Sequence, residues 1–254
     1  FDVTGTLLRF EGQLGNWYSL AAKRCGAPPP YSAHIEQAFK GAYEETSRLY
    51  PNFGGKDMSA KDWWRQCVKI SFERAGFHYK DKAFNCIFQR IYGIFGSHAT
   101  YSAFQDAVPF LKWARSKGII TGVISNADER YGDSILPMLD LHDELDFMLF
   151  SKDVEAEKPS PLIFQAAMNR AGLDDPQTVL HIGDSLKKDY HGAKNFGMHA
   201  VLMDRFDCMK PKDFKSHHLP PHSVHSNFLE TVEWITINHL LPRESEMRKT
   251  QGTP

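Results

Sequence analysis

Phe1-Asp2-Val3-Thr4-Gly5-Thr6-Leu7-Leu8 opens the chain, and the rest becomes interpretable from it. An aspartate that follows an apolar residue and precedes Gly-Thr and two leucines suggests a carboxylate presented at the end of a β-strand. A carboxylate so placed can attack an electrophile and split one difficult step into two. Taken alone, an aspartate at a strand end is as readily a turn or helix cap. A strand also needs residues before its end. Only Phe1 precedes Asp2, so the natural protein is expected to begin upstream, with any targeting peptide out of view.

Working outward, the residues from Leu14 to Phe95 carry helical periodicity. Trp64, Val68, Phe72 and Ala75 recur on one face, and Gly76 is a plausible stop. Phe84, Phe88, Ile91 and Phe95 repeat the spacing, and Ile35, Ala38 and Ala42 mark a further face. Pro28-Pro29-Pro30 and the Pro51 to Gly55 stretch separate these segments. Such apolar stripes are expected to pack as a helical bundle. Trp17, Tyr18 and Trp63 are candidates to line a pocket, with helix packing the competing interpretation.

Beyond Tyr101 the texture changes to strands alternating with helices. Strands are expected at Ile119–Ile124, Phe147–Phe150, Val179–Ile182 and Ala200–Met203. Helices are expected at Ala107–Lys117, Tyr131–Leu139, Pro161–Ala171 and Lys187–Phe196, with a last one around Trp234 to Leu241. This alternation implies an α/β fold, a doubly wound parallel sheet with helices on both faces. The first strand precedes the helical block and the others follow it. The block is thus an insertion: core at 1–11 and 101–242, cap at 12–100, and a frayed polar tail at 243–254.

Bulk composition is that of a globular protein. The 254 residues suffice for one large domain or two smaller ones, and 42% are hydrophobic. Charge is balanced, 30 basic against 31 acidic residues, so neither a nucleic-acid nor a membrane surface is indicated. Cys25, Cys67, Cys86 and Cys208 form no Cys-x-x-Cys pair and are expected to be reduced thiols, which points to an intracellular location in the cytoplasm or an organelle such as a mitochondrion or plastid. His217, His218, His222 and His225 cluster loosely among prolines, as in a surface loop.

In an open parallel sheet, ligands bind beyond the carboxyl ends of the strands. Asp2, Ser125-Asn126 and Gly183-Asp184 occupy such ends, and Lys158-Pro159 follows the Phe150 strand. This set resembles the haloacid dehalogenase superfamily of phosphotransferases. Its first motif is matched by Asp2-Val3-Thr4-Gly5-Thr6, its second by Ser125, its third by Lys158, and its fourth by Gly183-Asp184-Ser185 with Asp189. The likeness spans the chain to about Leu241. Phe1 to Leu8, Glu157-Lys158-Pro159 and His181 through Met198 are most similar to one subgroup, its plant-type members in particular. The resemblance implies a Rossmann-like core with an inserted helical C1-type cap. It also implies Mg²⁺-dependent transfer of a phosphoryl group from a small phosphorylated metabolite to Asp2. Asp2, the Thr4 carbonyl and Asp184 would be metal ligands, with Asp189 in or near that set. Ser125 and the Asn126 N–H would hold phosphoryl oxygens, and Lys158 would neutralise the nucleophile and the transferring group.

One residue departs from the family pattern. Typical family phosphatases carry a second aspartate two residues after the nucleophile, where this chain has Thr4. That aspartate protonates the leaving alcohol and then activates water, help worth roughly two to four powers of ten. Thr4 has no proton to give near neutral pH. Cation-pumping ATPases of the superfamily also carry threonine there and keep a persistent phosphoenzyme. A slow phosphatase or phosphotransferase is expected. The alternative is a catalytically weak member serving as a binding partner or subunit of a larger assembly. Carbon–halogen hydrolysis, which needs no Mg²⁺, fits poorly with the presence of Asp184 and Asp189.

Overall fold

The computed structural model describes residues 1–217 and 219–238. Past the turn at Val3–Leu7, β1 (Leu8–Phe10) leads into four helices, α1 (Leu14–Arg24), α2 (Ser32–Leu49), α3 (Ala60–Arg74) and α4 (Asp81–Ile94). The chain returns along β2 (Tyr101–Ala103). It continues through α5 (Ala107–Ser116), β3 (Gly122–Ser125), α6 (Leu136–Met138), β4 (Phe147–Phe150), α7 (Ser151–Val154) and α8 (Pro161–Ala171). Then come β5 (Leu180–Gly183), α9 (Gly192–Phe196), β6 (His199–Met203), α10 (Pro211–Ser216), β7 (Val224–His225) and α11 (Phe228–Ile237).

The strands after β2 pair in parallel, β3 with β4 and β5 with β6 and then β7. Phe1 and Asp2 join the two groups. The Phe1 nitrogen donates to the Gly122 carbonyl (2.7 Å), Ile124 N–H to the Phe1 carbonyl (2.8 Å) and Asp2 N–H to the Ile182 carbonyl (2.8 Å). The spatial order is therefore β4, β3, Phe1–Asp2, β5, β6, β7. Alternate residues of each strand face opposite sides. Val123, Val201 and Met203 pack with Phe110, Leu111 and Phe228 of α5 and α11. Ile124, Ala200 and Leu202 pack with Ile163, Phe164 and Ala193 of α8 and α9 on the other side. Burying each large apolar side chain stabilises the core by about 1.5–3 kcal/mol.

The cap helices bury Tyr18, Ile35, Val68, Phe72, Ile87 and Phe88 against one another. A satellite cluster gathers Ala42, Phe53, Trp63 and Cys67. Ser59 starts α3 by accepting the Asp62 N–H (3.0 Å), and the short acidic side chain there suits the helix N-terminus. The two crossings between core and cap form an antiparallel ribbon, Leu8 opposite Ala103 and Phe10 opposite Tyr101. No sequence pattern announces this ribbon, because three-residue strands are too short for an alternating pattern.

Several expectations need correction. Ile119 and Ile120 lie outside β3: Ile119 N–H closes the end of α5 on the Ala114 carbonyl, and Thr121 N–H is taken by the Asp146 carboxylate. The helices expected at Tyr131 and at Lys187 each begin as a wide π-turn, over Tyr131–Ile135 and Leu186–His191, before a short α-helical end. Such turns are frequent at functional sites. Cys25 and Cys86 are joined in a disulfide between the end of α1 and α4, so only Cys67 and Cys208 are free thiols. Helix packing brings together two half-buried cysteines 61 residues apart, which spacing along the chain does not reveal. The composition argument for a reducing compartment goes with it.

His225 is buried, with Nδ1 against the Thr231 hydroxyl (3.0 Å) and Nε2 against the His222 carbonyl (3.2 Å), in a structural role. His218, the end of the last expected helix at Leu240-Leu241 and the 243–254 tail lie outside the described residues. Among the described residues no helix is long and apolar enough to cross a membrane.

Candidate active site

Asp2 sits on the rim where the sheet strands end. Two turns converge on it from β5 and from the loop after α7. Lys158 Nζ donates to Asp2 Oδ1 (2.7 Å) and to Asp189 Oδ1 (2.6 Å), and all three side chains are almost wholly buried. Asn126, just past β3, clasps the backbone of Lys158 from both sides: its amide donates to the Lys158 carbonyl (3.0 Å) and its oxygen accepts the Lys158 N–H (2.8 Å). Ser125 is the buried last residue of β3, one position before that clasp.

Asp189 is fully engaged. Besides Lys158, it accepts from His181 Nε2 at Oδ1 (2.9 Å) and from the Ser185 N–H at Oδ2 (3.0 Å). Gly183 is required beneath it, because a Cβ there would stand 2.2 Å from Asp189 Cγ. Asp184 reaches the surface, but its carboxylate folds back over Gly5, where a Cβ would stand 2.3 Å from Oδ2. Gly5 also has φ +87°, a conformation that favours glycine. Asp2, Asp184 and Asp189 thereby offer oxygens all within 4.8 Å of one another.

The charges are unequal in consequence. Burial disfavours the ammonium of Lys158, but Asp2 and Asp189 outweigh it and raise its pKa above the usual lysine value. Burial likewise opposes the Asp189 anion, yet Lys158 first and the His181 hydrogen bond next hold it well below the carboxylate range. Asp2 has fewer partners, and burial, reinforced by Asp189 and opposed by Lys158, raises its pKa. Asp184 is pushed up to about 7 by partial desolvation and then by the negative charges of Asp2 and Asp189. Burial takes His181 down to about 4, so its Nε2 carries the proton it donates to Asp189. A hard divalent cation suits a cluster of this kind, held by oxygens alone and short of positive charge. Asp2 and Asp184 keep oxygens free to hold one, whereas the oxygens of Asp189 are already occupied.

Thr4 faces a different neighbour. Its Oγ1 is 2.9 Å from the hydroxyl of Tyr131, on the π-turn after β3. Tyr131 and its neighbours also carry the core's contact with the cap. Asp128 accepts from Arg130 Nε and Nη2 (2.9 Å each) and from Trp64 Nε1 of the cap (2.5 Å). The Arg130 guanidinium lies over the rings of Trp64 and Tyr92, 5.1 and 4.5 Å from their centroids. A second tie is Lys152, whose Nζ donates to the Gly55 (2.6 Å) and Met58 (2.8 Å) carbonyls of the cap.

Of the three cap aromatics expected near a pocket, Tyr18 lines a cavity between cap and core. Trp63 is cap interior, donating to the Tyr50 carbonyl, and Trp17 donates to the Glu11 carbonyl. His181, Asp128, Arg130, Tyr131 and Trp64 were not anticipated. His181 had one visible signal, a lone polar residue in the apolar strand Val179 to Ile182, and Asp128 to Arg130 form a charged run just beyond Ser125-Asn126.

A strand-end aspartate held by a buried lysine, a second aspartate pair after β5 and an inserted helical cap define a class, and comparison with known proteins agrees with it. The profile described as haloacid dehalogenase-like hydrolase matches residues 1–197. The chain belongs to the haloacid dehalogenase-like hydrolase family. It is 33% identical to haloacid dehalogenase-like hydrolase domain-containing protein 3 of Bos taurus over 247 residues, 95% of this chain and 91% of that protein. Among solved structures it resembles a haloacid dehalogenase-type phosphatase from Thermococcus onnurineus (TM-score 0.58, 23% identity, 92% of this chain and 94% of that one). It also resembles a 2-haloacid dehalogenase from Pseudomonas syringae pv. Tomato DC3000 (TM-score 0.63, 22% identity, 93% and 96%). Both likenesses concern the fold alone, and the fold serves two chemistries.

Proposed function

We propose that the protein is a slow, Mg²⁺-dependent phosphoric monoester hydrolase or phosphotransferase that works through an aspartyl phosphate on Asp2. The observation that carries this reading is the pairing of Asp2 with Lys158 beside the open carboxylate of Asp184. A nucleophile needed only against carbon–halogen bonds has no use for a second free carboxylate at its side. That arrangement instead suits a metal-assisted attack on a phosphate dianion.

In this mechanism Asp2 forms a bond to phosphorus as the ester oxygen leaves with its electron pair. Lys158 favours the ionised form of Asp2 against burial and offsets negative charge on the transferring group. The Ser125 hydroxyl and the Asn126 N–H hold phosphoryl oxygens, and the Asn126 clasp fixes Lys158 at its working distance. Asp2, Asp184 and the Thr4 carbonyl would hold Mg²⁺, which when bound shields the charge of the phosphate from that of the nucleophile. His181 and the Ser185 N–H orient Asp189, and Asp189 orients Lys158. Water then attacks the aspartyl phosphate without help from residue 4, so this second step is slow. The substrate is a small phosphorylated metabolite held under the cap, which also limits the access of water.

The test is release of phosphate from acetyl phosphate and from an aryl phosphate, with and without Mg²⁺, beside an Asp2→Asn control. Expected is Mg²⁺-dependent turnover that the control lacks, with phosphate trapped on the wild-type chain after acid quench. Absence of both turnover and trapped phosphate removes this reading and leaves a binding subunit.

A further inference from the structure

Between cap and core lies a cavity of about 190 Å³. Its wall includes Leu14, Tyr18, Trp64, Ile91, Tyr92 and Tyr131. Tyr131 places it beside the reaction centre, since the Tyr131 hydroxyl touches Thr4, two residues from Asp2. Arg130 is the one charged residue on this wall, and the rest are aromatic or aliphatic. Its charge is already spent. Its Nε and Nη2 edge is bonded to the Asp128 carboxylate, which offsets the positive charge, and the guanidinium is stacked on Trp64 and Tyr92. The wall therefore has no unpaired cation to attract a second phosphate or a carboxylate. Its other polar groups are chiefly four tyrosine hydroxyls, that of Tyr131 already engaged by Thr4, so most of a sugar's hydroxyls would be left unpaired on burial.

We propose that this cavity is the leaving-group subsite and that it takes the uncharged ring of an aryl phosphate monoester. The inference rests on the phosphoryl-transfer reading above and names its substrate class. Size agrees: an apolar cavity of about 150 Å³ is known to hold benzene, so this one accommodates a single substituted ring. Chemistry agrees independently. When Asp2 bonds to phosphorus and the P–O(aryl) bond breaks, the electron pair leaves on a phenoxide. A phenol of the tyrosine kind has a pKa of about 10, so its anion departs without a proton from residue 4, and solvent protonates it afterwards. The residue that departs from the family pattern and the apolar wall beside it thus favour the same substrates.

The experiment measures binding, not turnover. Phenylphosphonate and methylphosphonate, whose P–C bonds cannot be transferred, are titrated by calorimetry into the protein with Mg²⁺. 4-Biphenylylphosphonate is added as an oversized probe. Expected is phenylphosphonate binding at least about tenfold tighter than methylphosphonate, with no further gain for the two-ring probe. Leu14→Trp, which places bulk into the cavity from the half-buried start of α1, should bring the phenyl-to-methyl ratio close to one. If methylphosphonate binds with Mg²⁺ and phenylphosphonate is no tighter, the subsite is refuted while the phosphoryl site stands. If neither binds, the phosphoryl-transfer reading falls and takes the subsite with it. A phenyl preference that Leu14→Trp leaves intact puts the ring elsewhere and also overturns the proposal. The ring-size series on the unaltered protein decides the matter should that variant misfold.

Discussion

The hydroxyl of Tyr131 lies 2.9 Å from Thr4 Oγ1, so the position from which family phosphatases work an acid–base carboxylate is held here by two neutral hydroxyls. Neither group titrates near neutral pH: burial raises Tyr131 above its ordinary value. An aspartate introduced at residue 4 would meet the Tyr131 hydroxyl as a ready hydrogen-bond donor. Thr4→Asp should therefore raise kcat for ordinary alkyl phosphate monoesters, by at least about tenfold within the range of such catalysis. Steady-state phosphate release checks this, and an unchanged kcat means that residue 4 is not what limits turnover.

Lys158 is the single cation between two buried carboxylates. Removing one partner of a buried ionic network leaves uncompensated charge, at a cost of about 3–5 kcal/mol. Lys158→Met should lose stability on that scale at pH 7 and less at pH 5, where a carboxyl can take up a proton. Urea denaturation at the two pH values measures it. A loss below about 1 kcal/mol would mean that solvent already screens the pair.

His181 sets an acid limit on stability. Its folded-state pKa, about 4, lies below the unfolded value of 6.5, chiefly through burial. The unfolded chain then binds more protons in this interval, so stability rises with pH. The contribution is complete above pH 6.5 and disappears as pH falls towards 4, on the order of 3 kcal/mol in all. Thermal melts between pH 4.5 and 7.5 should show Tm falling below pH 6.5. A flat profile across that interval contradicts a neutral buried imidazole.

The Cys25–Cys86 disulfide closes a loop over 61 positions that spans α1 to α4. Chain-entropy arguments give such a crosslink about 4 kcal/mol, or roughly ten degrees in Tm for a domain of this size. Melting with and without dithiothreitol tests it, with the Cys25→Ser, Cys86→Ser double variant as the permanently open form. Equal melting temperatures would show that packing alone holds the two helices.

The legible parts of this protein were those fixed by period and by strand direction. A run such as Phe147–Phe150 reads as a buried strand, and Pro161 and Gly172 bracket α8 by capping chemistry. Parallel strands share one direction, which is why Asp2, Ser125 and Asp184 could be assigned to a common rim before any coordinates. What could not be read depends on contacts between distant segments. Tyr131 meets Thr4 across 127 positions, Trp64 meets Asp128 across 64, and the two disulfide cysteines belong to different helices. Asp189 was legible as an acidic residue near the site. That its oxygens are consumed by Lys158, His181 and Ser185 N–H follows only from the π-turn that carries it.

Both covalent links between core and cap run side by side in the β1–β2 ribbon, cross-linked further by Glu11 N–H on the Thr100 carbonyl (2.8 Å). Mechanically this is a strap with one torsional axis, not two independent tethers. The ribbon favours swinging of the cap over sliding, and the fastenings at Asp128 and Lys152 oppose that swing. A swing large enough to free one of them displaces the other as well. Opening of the cap is then expected to require release of both fastenings together.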